Sequence, residues 1–570
     1  MLADNVTDCH VLVVGSGGAG CRAAVEAAKY GDVILLSRSV TGKGGCTTMA
    51  EGGYNAVLNP KDSCSSHFED TIRGGAYLND RELVKILVEE APERFADLMN
   101  WGAVFDLSCD CDGFEGTHPA QRHFGGQKFN RTCYSGDRTG HEIMATLMEK
   151  VRGGDIRIIQ EVTVIDLLTE TLSGGEVRVC GAVGLDRDGN MVVFRCDAVV
   201  LATGGTGQIY DVCTNCATGN GQGYAMAYRA GAELIDMEMV QFHPTGAVYP
   251  YDARGRLITE AVRGEGGYLK NSRGERFMAK YDPERMELST RDVVARSIAT
   301  EIAEGRGTDK GGVYLDVTHL GAAVIEERLP MMLAQFLNFG VDIRKEPMEV
   351  APTAHHMMGG LRITPECRTT IKGLFACGEV TGGIHGANRL GGNSLADTQV
   401  FGKRAGEFAG KSVMHRALMN SPAIVGQLAA EELRFNRFLN GSDSIAEIKE
   451  RLRKTMWENV GIFRTAEELE TALAEIEELL EMTPKADSPA VLAECCVLED
   501  MLTVAALVVR GALLREESRG AHVRKDIVQD WTPETSPYGH TYQSIYREGI
   551  EKAGAEDIST EGAGKGGNAQ

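Results

Sequence analysis

The feature that most constrains this chain is a glycine turn between a predicted strand and a predicted helix. The strand, His10–Val14, runs directly into the sequence GSGGAG, which opens a helical segment before a second strand, Val33–Leu36. In this context the GxGxxG spacing predicts a doubly wound α/β domain that binds a dinucleotide, because the glycines allow a tight turn and let a pyrophosphate lie on the helix N-terminus. Ser37 stands where an acidic residue usually holds a ribose, so the pattern does not favour NAD.

Three further glycine-rich segments accompany predicted strands. GKGGCTTMAEGG occupies Gly42–Gly53, the strand Ala198–Leu201 leads into ATGG, and the strand Leu374–Cys377 precedes GANRLGGNSL, which opens another helix. Glycine-rich backbone allows a ligand to approach closely. With the first turn, these four segments imply one large and extended cofactor.

Composition and charge exclude several classes of function. The 570 residues are too many for one core and imply about three or four domains. A formal charge of −22 argues against nucleic acid or an anionic membrane as the main partner. The sequence shows no basic signal region and no apolar stretch long enough to span a bilayer, so we expect a soluble cytoplasmic protein without direct membrane insertion.

The cysteine pattern predicts neither a disulfide framework nor a metal site. Fifteen cysteines are scattered along the chain, and no second CxxC or histidine pair completes a metal-binding spacing around the close pairs Cys109/Cys111, Cys213/Cys216 and Cys495/Cys496. We therefore expect free, reduced thiols and no metal. A redox dithiol at Cys213 and Cys216 stays open as an alternative.

The motifs divide the chain into a doubly wound α/β domain, an inserted α+β cap and a helical domain. We assign the two parts of the cofactor domain to residues 1–236 and 351–420, and the cap to residues 237–350. Residues 421–530 read as helical, with capping boxes at Ser444–Glu447 and Thr465–Glu468. Residues 531–570 are predicted to be a tail, disordered from about Ala553.

One stretch within the insertion brings ionisable groups together. Leu257–Gly267 reads LITEAVRGEGG, and a helical turn there would place Glu260 and Arg263 on one face at i,i+3. Such a pair can exchange a proton as part of a relay, or it can be an ordinary surface ion pair. Its own residues do not decide between these two interpretations.

A resemblance carried by nine ordered motifs favours the proton relay over the surface ion pair. GSGGAG, MAEGG, DRTGH, QFHPTG, LITEAVRGEGG, STRDVVARS, PTAHHMMGG, GLFACGEV and GANRLGGNSL resemble the flavoprotein subunit of the fumarate reductase and succinate dehydrogenase family over about residues 8–530. Within that family the chain is most similar to the thiol-linked fumarate reductases of methanogenic archaea. There the resemblance implies an iron–sulfur partner subunit that takes electrons from coenzyme M and coenzyme B.

The resemblance implies the chemistry of the site. FAD would lie extended across the doubly wound domain, and a capping domain would close over fumarate or succinate beside it. The residues implied to bind the two carboxylates are His243, Thr259, His355 and Arg389. Flavin N5 would deliver hydride to one alkene carbon while Arg291 protonates its neighbour. The proton would reach Arg291 through Glu260 and Arg263.

The predicted cofactor contacts follow the glycine-rich segments. They are Gly15, Gly17, Gly18, Gly20, Ser37, Gly44, Gly45, Cys46, Thr47, Ala50, Gly52, Gly53, Ala202, Thr203, Gly204, Asn220, Glu379, Arg389, Ser394 and Leu395. Cys46 stands where the membrane-bound enzymes carry the histidine that bonds to the flavin, so we expect non-covalent FAD. Asn220 replaces the family's usual aspartate.

Three other functions compete with fumarate reduction. Succinate dehydrogenase runs the reaction in the opposite direction. L-Aspartate oxidase shares the HPT, TEA and RDxVAR elements, although RLGGNSLAD in this chain is closer to the reductases. A flavin-binding structural subunit with a vestigial site is the non-enzymatic alternative, and it would lack substrate residues that this sequence retains.

Overall fold

The computed structural model describes residues 6–108, 117–412, 417–545 and 551–557. At its centre lies a parallel sheet, here called the nucleotide sheet, with the spatial order Leu374–Ala376, Ala198–Leu201, Val11–Val14, Val33–Ser37 and Ile156–Gln160. The three central strands are buried at every position, as expected for parallel strands covered on both faces. The predicted α/β class is confirmed, and four of these strands are those that the sequence predicts.

Two helices, Gly18–Ala27 and Asn393–Gly410, pack together beside this sheet. Glycines on the second helix make the close approach possible, since a Cβ at Gly406 would lie 2.2 Å from the carbonyl oxygen of Ala23. The remaining helices of this part of the chain are Cys64–Gly74, Arg81–Asn100, Thr139–Gly153 and Gln222–Arg229.

A second sheet of four strands packs through Val177–Leu185 against the nucleotide sheet. Its order is Val6–Asp8, Met191–Arg195, Val177–Leu185 and Thr163–Thr171. Short strands also pair nearby, at Tyr54–Asn55, Thr132–Cys133 and Gln121–Arg122, and at Leu107–Ser108 with His118–Pro119.

The inserted segment has its own antiparallel sheet and its own core. The sheet order is Val240–Tyr249, Met348–Met357, Val313–Asp316 and Tyr268–Lys270. A separate apolar cluster extends from Ala247 to Val350. The helices here are Glu260–Gly264, Met278–Tyr281, Arg291–Glu301, Ala322–Arg328 and Pro330–Asn338. The borders that we assign to this cap stay a prediction.

The helical part contains Pro422–Leu439, Ile445–Asn459, Ala466–Glu481 and Leu492–Leu514. Both predicted caps are present, because the Ser444 hydroxyl accepts from the N–H of Glu447 and the Thr465 hydroxyl from the N–H of Glu468. A short pair of strands, Phe463–Arg464 and Val523–Arg524, ties the helices to the following segment.

The predicted tail is partly folded, which corrects its assignment as disordered from Ala553. Tyr538–Ile545 pairs with Glu551–Asp557, and the same strand also pairs with Leu234–Ile235, which pairs with Gly360–Leu361. Glycine content misled the prediction because strand pairing with distant residues supplies the order that local composition does not. Residues 558–570 lie outside the described part of the chain.

The described residues also bear on the predictions about membranes, metals and disulfides. No helix among them is long and apolar enough to cross a membrane. No group of three or more His, Cys, Asp or Glu side chains among them could hold a metal ion. All thirteen cysteines in these ranges are free, and the Cys109/Cys111 pair lies outside them.

Candidate active site

A cavity of about 780 Å³ opens where the glycine-rich segments meet the cap. Most predicted site residues line this cavity, so the predicted substrate-binding and cofactor-binding residues share one site. Among the catalytic and substrate residues these are His243, Thr259, Glu260, Arg291, His355 and Arg389. Among the cofactor residues they are Gly15, Gly17, Gly18, Ser37, Gly44, Gly45, Cys46, Thr47, Ala50, Gly52, Gly53, Ala202, Thr203, Gly204, Glu379, Ser394 and Leu395.

Three predicted residues do not line the cavity. Gly20 lies behind the turn, where a Cβ would come within 1.8 Å of the Gly15 carbonyl oxygen, so its role is to let the helix approach the strand. Asn220 is surrounded by protein groups: with its amide turned so that both ends are satisfied, its oxygen accepts from Arg38 Nη1 at 2.6 Å and its nitrogen donates to the Ala217 oxygen at 3.2 Å. Arg263 stands behind Glu260 and is described below.

The glycine-rich wall has the shape of a cradle for an extended ligand. Gly15 is held at φ +109° and a Cβ there would lie 2.2 Å from the Ala202 oxygen, so only glycine fits this turn. Gly204 has a positive φ and nothing within 4 Å of a Cβ position. The buried Oγ1 of Thr203 has no partner within the protein. Open backbone and an unpaired polar atom fit a phosphate-bearing cofactor such as FAD.

Ser37 ends its strand at the cavity wall. Its hydroxyl oxygen accepts from Ser16 at 2.8 Å, so its own hydrogen is left to donate to a ligand. This arrangement suits the predicted contact with a ribose or phosphate.

Glu260 and Arg291 form a buried ion pair at the cap side of the cavity. Arg291 Nε and Nη2 lie 2.8 and 2.7 Å from Glu260 Oε2, and the N–H of Gly125 donates to Oε1 at 2.8 Å. Burial raises the pKa of Glu260, but the positive charges of Arg291 and Arg263 outweigh it and lower this pKa to about 2. The pair is therefore a charged, oriented unit at neutral pH.

Arg263 lies on the far side of Glu260 from the cavity. Its Nη2 is 3.8 Å from Glu260 Oε2, and its Nη1 donates to the Glu287 carbonyl at 2.6 Å. Burial lowers the pKa of Arg263. Both Nε and Nη2 are without a hydrogen-bond partner. The predicted i,i+3 pair is thus buried, and the surface interpretation is wrong.

Gln241 contacts two predicted site residues, and the sequence interpretation missed it. Its Oε1 accepts from Arg389 Nη2 at 3.1 Å and lies 3.4 Å from Arg291 Nη1, so it holds the two guanidinium groups beside one another. It stands two residues before His243 on the same strand. Because alternate strand residues share a face, that spacing could have identified it.

Arg389 and Thr259 offer donors to an anionic ligand. Burial, followed by repulsion from Arg291, lowers the pKa of Arg389 to about 9, and its Nε has no partner within the protein. Thr259 caps the helix Glu260–Gly264 by accepting from the N–H of Ala261 at 3.3 Å. Its hydroxyl hydrogen is left to donate into the cavity.

His243 and His355 face each other with ring centroids 5.0 Å apart. Burial and then the charge of Arg291 hold the pKa of each well below its ordinary value, so both rings are neutral near pH 7. The N–H of Thr245 donates to His243 Nδ1 at 3.2 Å, which assigns the remaining proton to Nε2. His355 Nδ1 lies 2.7 Å from Thr214 Oγ1.

Glu379 closes the cavity on the side of the cofactor cradle. It accepts from the N–H of Met357 at 3.0 Å, and burial raises its pKa to about 7. His356, interpreted from the sequence as structural, lies 3.5 Å from Glu379 through its Nδ1 and also lines the cavity.

Comparison with known proteins agrees with this geometry. The family described as FAD binding domain matches residues 10–395, and the family described as fumarate reductase flavoprotein C-term matches residues 449–538. The chain is 53% identical to one subunit of the fumarate reductase (CoM/CoB) of Methanothermobacter marburgensis, over 93% of this chain and 95% of that protein. It is 38% identical to a Serratia fumarate reductase flavoprotein subunit, over 91% and 89%.

A solved structure extends the likeness to three dimensions. An E. coli quinol fumarate reductase chain superposes with a TM-score of 0.88 at 35% identity, and the alignment covers 97% of each chain. The glycine cradle, the cap and the arginine-lined cavity therefore occur together with full-length sequence similarity. The chain belongs to the fumarate reductase and succinate dehydrogenase flavoprotein family of FAD-dependent oxidoreductases.

Proposed function

We propose that this protein reduces fumarate to succinate, with Arg291 as the proton donor. The observation that carries the proposal is the Arg291–Glu260 pair, which faces the same cavity as the glycine cradle. A guanidinium held by a carboxylate at 2.7 Å is oriented before any ligand binds, and such preorganisation is a large part of enzymatic catalysis.

The charges around the cavity favour a dicarboxylate. Arg263, Arg291 and Arg389 are grouped around a single fully ionised carboxylate, Glu260, which leaves an excess of positive charge. Glu379, with its pKa of about 7, offsets only part of it near neutral pH. Two carboxylates of a substrate would complete the balance and accept from Arg389, Thr259 and the neutral histidine rings.

When bound, FAD supplies the hydride that reduces one alkene carbon. Arg291, the first residue of the helix Arg291–Glu301, donates a proton to the adjacent carbon. The low pKa of Glu260 depends on the charge of Arg291. Once Arg291 has lost its proton, Glu260 becomes more basic and can take a new proton to return to Arg291.

Arg263 is the first group of the proposed proton relay, on the side of Glu260 away from the cavity. It does not reach the cavity, and its contact with Glu260 at 3.8 Å makes it the preceding group in the relay. Its Nε and Nη2 are buried without a hydrogen-bond partner, so their protons are not committed to another group among the described residues.

FAD binding in this chain is proposed to be non-covalent, because Cys46 stands at the position of the flavin-linking histidine. We further propose that the reaction takes place in the cytoplasm and that electrons come from thiols through an iron–sulfur partner. The relative from M. marburgensis, whose name includes CoM/CoB, supports the thiol source.

The test compares both directions of the reaction. Purified flavoprotein is assayed for fumarate-dependent oxidation of reduced viologen, for succinate oxidation with an artificial dye, and for L-aspartate oxidation. We expect fumarate reduction to be the fastest of the three. Faster succinate oxidation would identify a dehydrogenase, and iminoaspartate formation would identify an L-aspartate oxidase.

A second measurement tests the electron donor and the attachment of FAD. The native protein is purified from its source and assayed with coenzyme M and coenzyme B as reductants. We expect an iron–sulfur subunit to co-purify and thiol oxidation to accompany fumarate reduction. Acid precipitation should release all yellow colour from the protein, whereas a yellow pellet would contradict non-covalent binding.

A further inference from the structure

Two cysteines that are distant in the sequence meet at the cofactor end of the cavity. Cys46 Sγ donates to Cys216 Sγ across 3.6 Å, although 170 residues separate them in the chain. Both are partly exposed and both line the cavity. The sulfur atoms are in contact, so no other group lies between them.

We propose that Cys46 and Cys216 are a redox-active dithiol that closes to a disulfide by exchange with a small-molecule disulfide. This site does not depend on the fumarate chemistry, and it differs from the Cys213/Cys216 pair that the CxxC spacing indicates. Closing the pair requires the sulfur atoms to move together from 3.6 Å to about 2.05 Å.

The environment of Cys216 favours the thiolate. The hydrogen bond from Cys46 is the largest influence, and Thr218, through its hydroxyl at 3.2 Å and its N–H, assists it. Together they lower the pKa of Cys216 to about 6, while the pKa of Cys46 is raised. One sulfur is thus an attacking nucleophile and the other is a thiol at contact distance.

Four other cysteines in the described part of the chain have raised pKa values. Burial raises the pKa of Cys21 and Cys133 to about 12, and it raises the pKa of Cys367 as well. Such thiols stay protonated at neutral pH and react slowly. Cys213, the other member of the CxxC, also has a raised pKa because of burial.

The backbone around Cys46 can accommodate the movement. Gly45 has a φ of +94° and its nearest neighbour to a Cβ position is 4.0 Å away, so this turn is not packed tightly. Thr47, which follows Cys46, accepts from the N–H of Gly18 at 3.1 Å. Cys46 therefore lies in the loop that contacts the first glycine turn.

The other half of the pair is connected to a proposed substrate ligand. Thr214 Oγ1 lies 2.7 Å from His355 Nδ1, and Asn215 Nδ2 donates to the His355 carbonyl at 2.6 Å. A disulfide would join the cofactor loop covalently to the segment that orients His355. Oxidation would thereby fix two walls of the cavity relative to each other.

The exchange balances without any further oxidant. The Cys216 thiolate attacks one sulfur of a disulfide RSSR, the RS–SR bond breaks, and one RS⁻ leaves. Cys46 then loses its proton and its sulfur attacks Cys216 Sγ, which displaces the second RS⁻. The protein dithiol is oxidised and the small disulfide is reduced to two RSH, which take one proton from the Cys46 thiol and the other from solvent, where Cys216 released it on forming the thiolate.

The experiment uses FAD-loaded protein, reduced and then freed of reductant under anaerobic conditions. It is incubated with 2-hydroxyethyl disulfide, blocked with N-ethylmaleimide, digested and analysed by mass spectrometry. We expect a cross-link between the Cys46 and Cys216 peptides and the loss of two free thiols per chain. Dithiothreitol should reverse both changes.

Three variants separate this pair from the CxxC. Cys213→Ser should keep the cross-link. Cys46→Ala should stop at a mixed disulfide of hydroxyethanethiol on Cys216, because the resolving thiol is missing. Cys216→Ser should show neither product. The flavin absorbance spectrum and the melting temperature establish that each variant is folded.

Several results would overturn the proposal. A cross-link between Cys213 and Cys216 would assign the reaction to the CxxC instead. Unchanged thiol counts in the native protein after incubation with the disulfide would show that the sulfur contact has no exchange chemistry. Alkylation of Cys216 provides an independent readout, with half-maximal rate near pH 6 in the native protein and at higher pH in Cys46→Ala.

Discussion

Arg515 and Arg291 are both buried arginines that bind carboxylates, and the groups around them differ. Arg515 is fully buried and lies 3.0, 2.5 and 2.8 Å from Asp236, Glu238 and Glu517. It also donates to the carbonyl of Gly539. Burial lowers the pKa of Arg515, but the three carboxylates outweigh it and raise this pKa overall.

At the cavity the balance is reversed. Three guanidinium groups, from Arg263, Arg291 and Arg389, are grouped around Glu260, and the pKa of Arg389 falls because burial and Arg291 outweigh its carboxylate neighbours. Arg389 Nε has no partner. A structural arginine is thus saturated by the protein, whereas a ligand-binding arginine keeps donors and charge for a group that arrives later.

Substitution at Arg291 gives the largest expected effect. Arg291→Gln removes the proposed acid and should lower kcat for fumarate by about 10³- to 10⁴-fold, the usual range for a general acid. Stability should change little, since one repulsive positive charge beside Arg389 is lost along with the Glu260 pair. Viologen-linked turnover measures kcat, and the flavin spectrum followed during unfolding measures stability. Full activity with bound FAD would remove Arg291 from the mechanism.

The opposite pattern is expected at Arg515. Arg515→Met removes the cation shared by three buried carboxylates, of which Asp236 keeps His540 and Glu517 keeps Arg519, and should destabilise the protein by about 3–5 kcal/mol. The kcat of the folded fraction should stay near that of the native protein. Denaturant unfolding, followed by flavin release and far-UV circular dichroism, measures the loss. A change below about 1 kcal/mol would show that saturation is not what stabilises this region.

Glu379 provides the third test, because its carboxyl forms an ion pair with no arginine among the described residues. Its folded-state pKa of about 7 lies above the usual value of 4.5. The native protein therefore binds this proton more firmly than the unfolded chain, and the stability it contributes below pH 4.5 is lost as pH rises through 7. Glu379→Gln should remove about 1–3 kcal/mol of this pH dependence. Equal slopes of stability between pH 5 and 8 in both proteins would contradict it.

The smallest effect is expected from titration of Arg389. Its pKa of about 9 means that positive charge is lost as pH rises through 9, so kcat/KM for fumarate should fall about tenfold per pH unit above that value. Arg389→Lys should move the fall to lower pH, because an ammonium group has a lower ordinary pKa than a guanidinium. A profile that is flat to pH 10.5 would show that Arg389 does not bind the substrate.

Local geometry explains which parts of the fold and site were predictable. The turn at Gly15 and the strand Val11–Val14 depend on neighbouring residues, so their patterns are visible in the sequence. Gln241 follows from strand alternation with His243 once that strand is recognised. The helix caps at Ser444 and Thr465 are likewise local.

Contacts between distant segments explain the remaining differences. Nothing in the sequence around Cys46 indicates Cys216, and the CxxC spacing indicates a different pair. The cofactor contact at Asn220 stays a prediction, and the sequence did not indicate that its amide meets Arg38. The tail from Ala553 gains its order from pairing with a strand that also pairs near residue 235. Each outcome depends on which segments become neighbours in space.

The order of strands in the nucleotide sheet has a consequence for synthesis on the ribosome. The Gly15 turn is made early, but its neighbour Ala202 and the wall at Leu395 are made much later. At roughly 5–20 residues per second, the apolar strand Val11–Val14 waits on the order of tens of seconds for its complete sheet. Cofactor capture must therefore follow the synthesis of residue 395, and the nascent strand needs protection from aggregation until then.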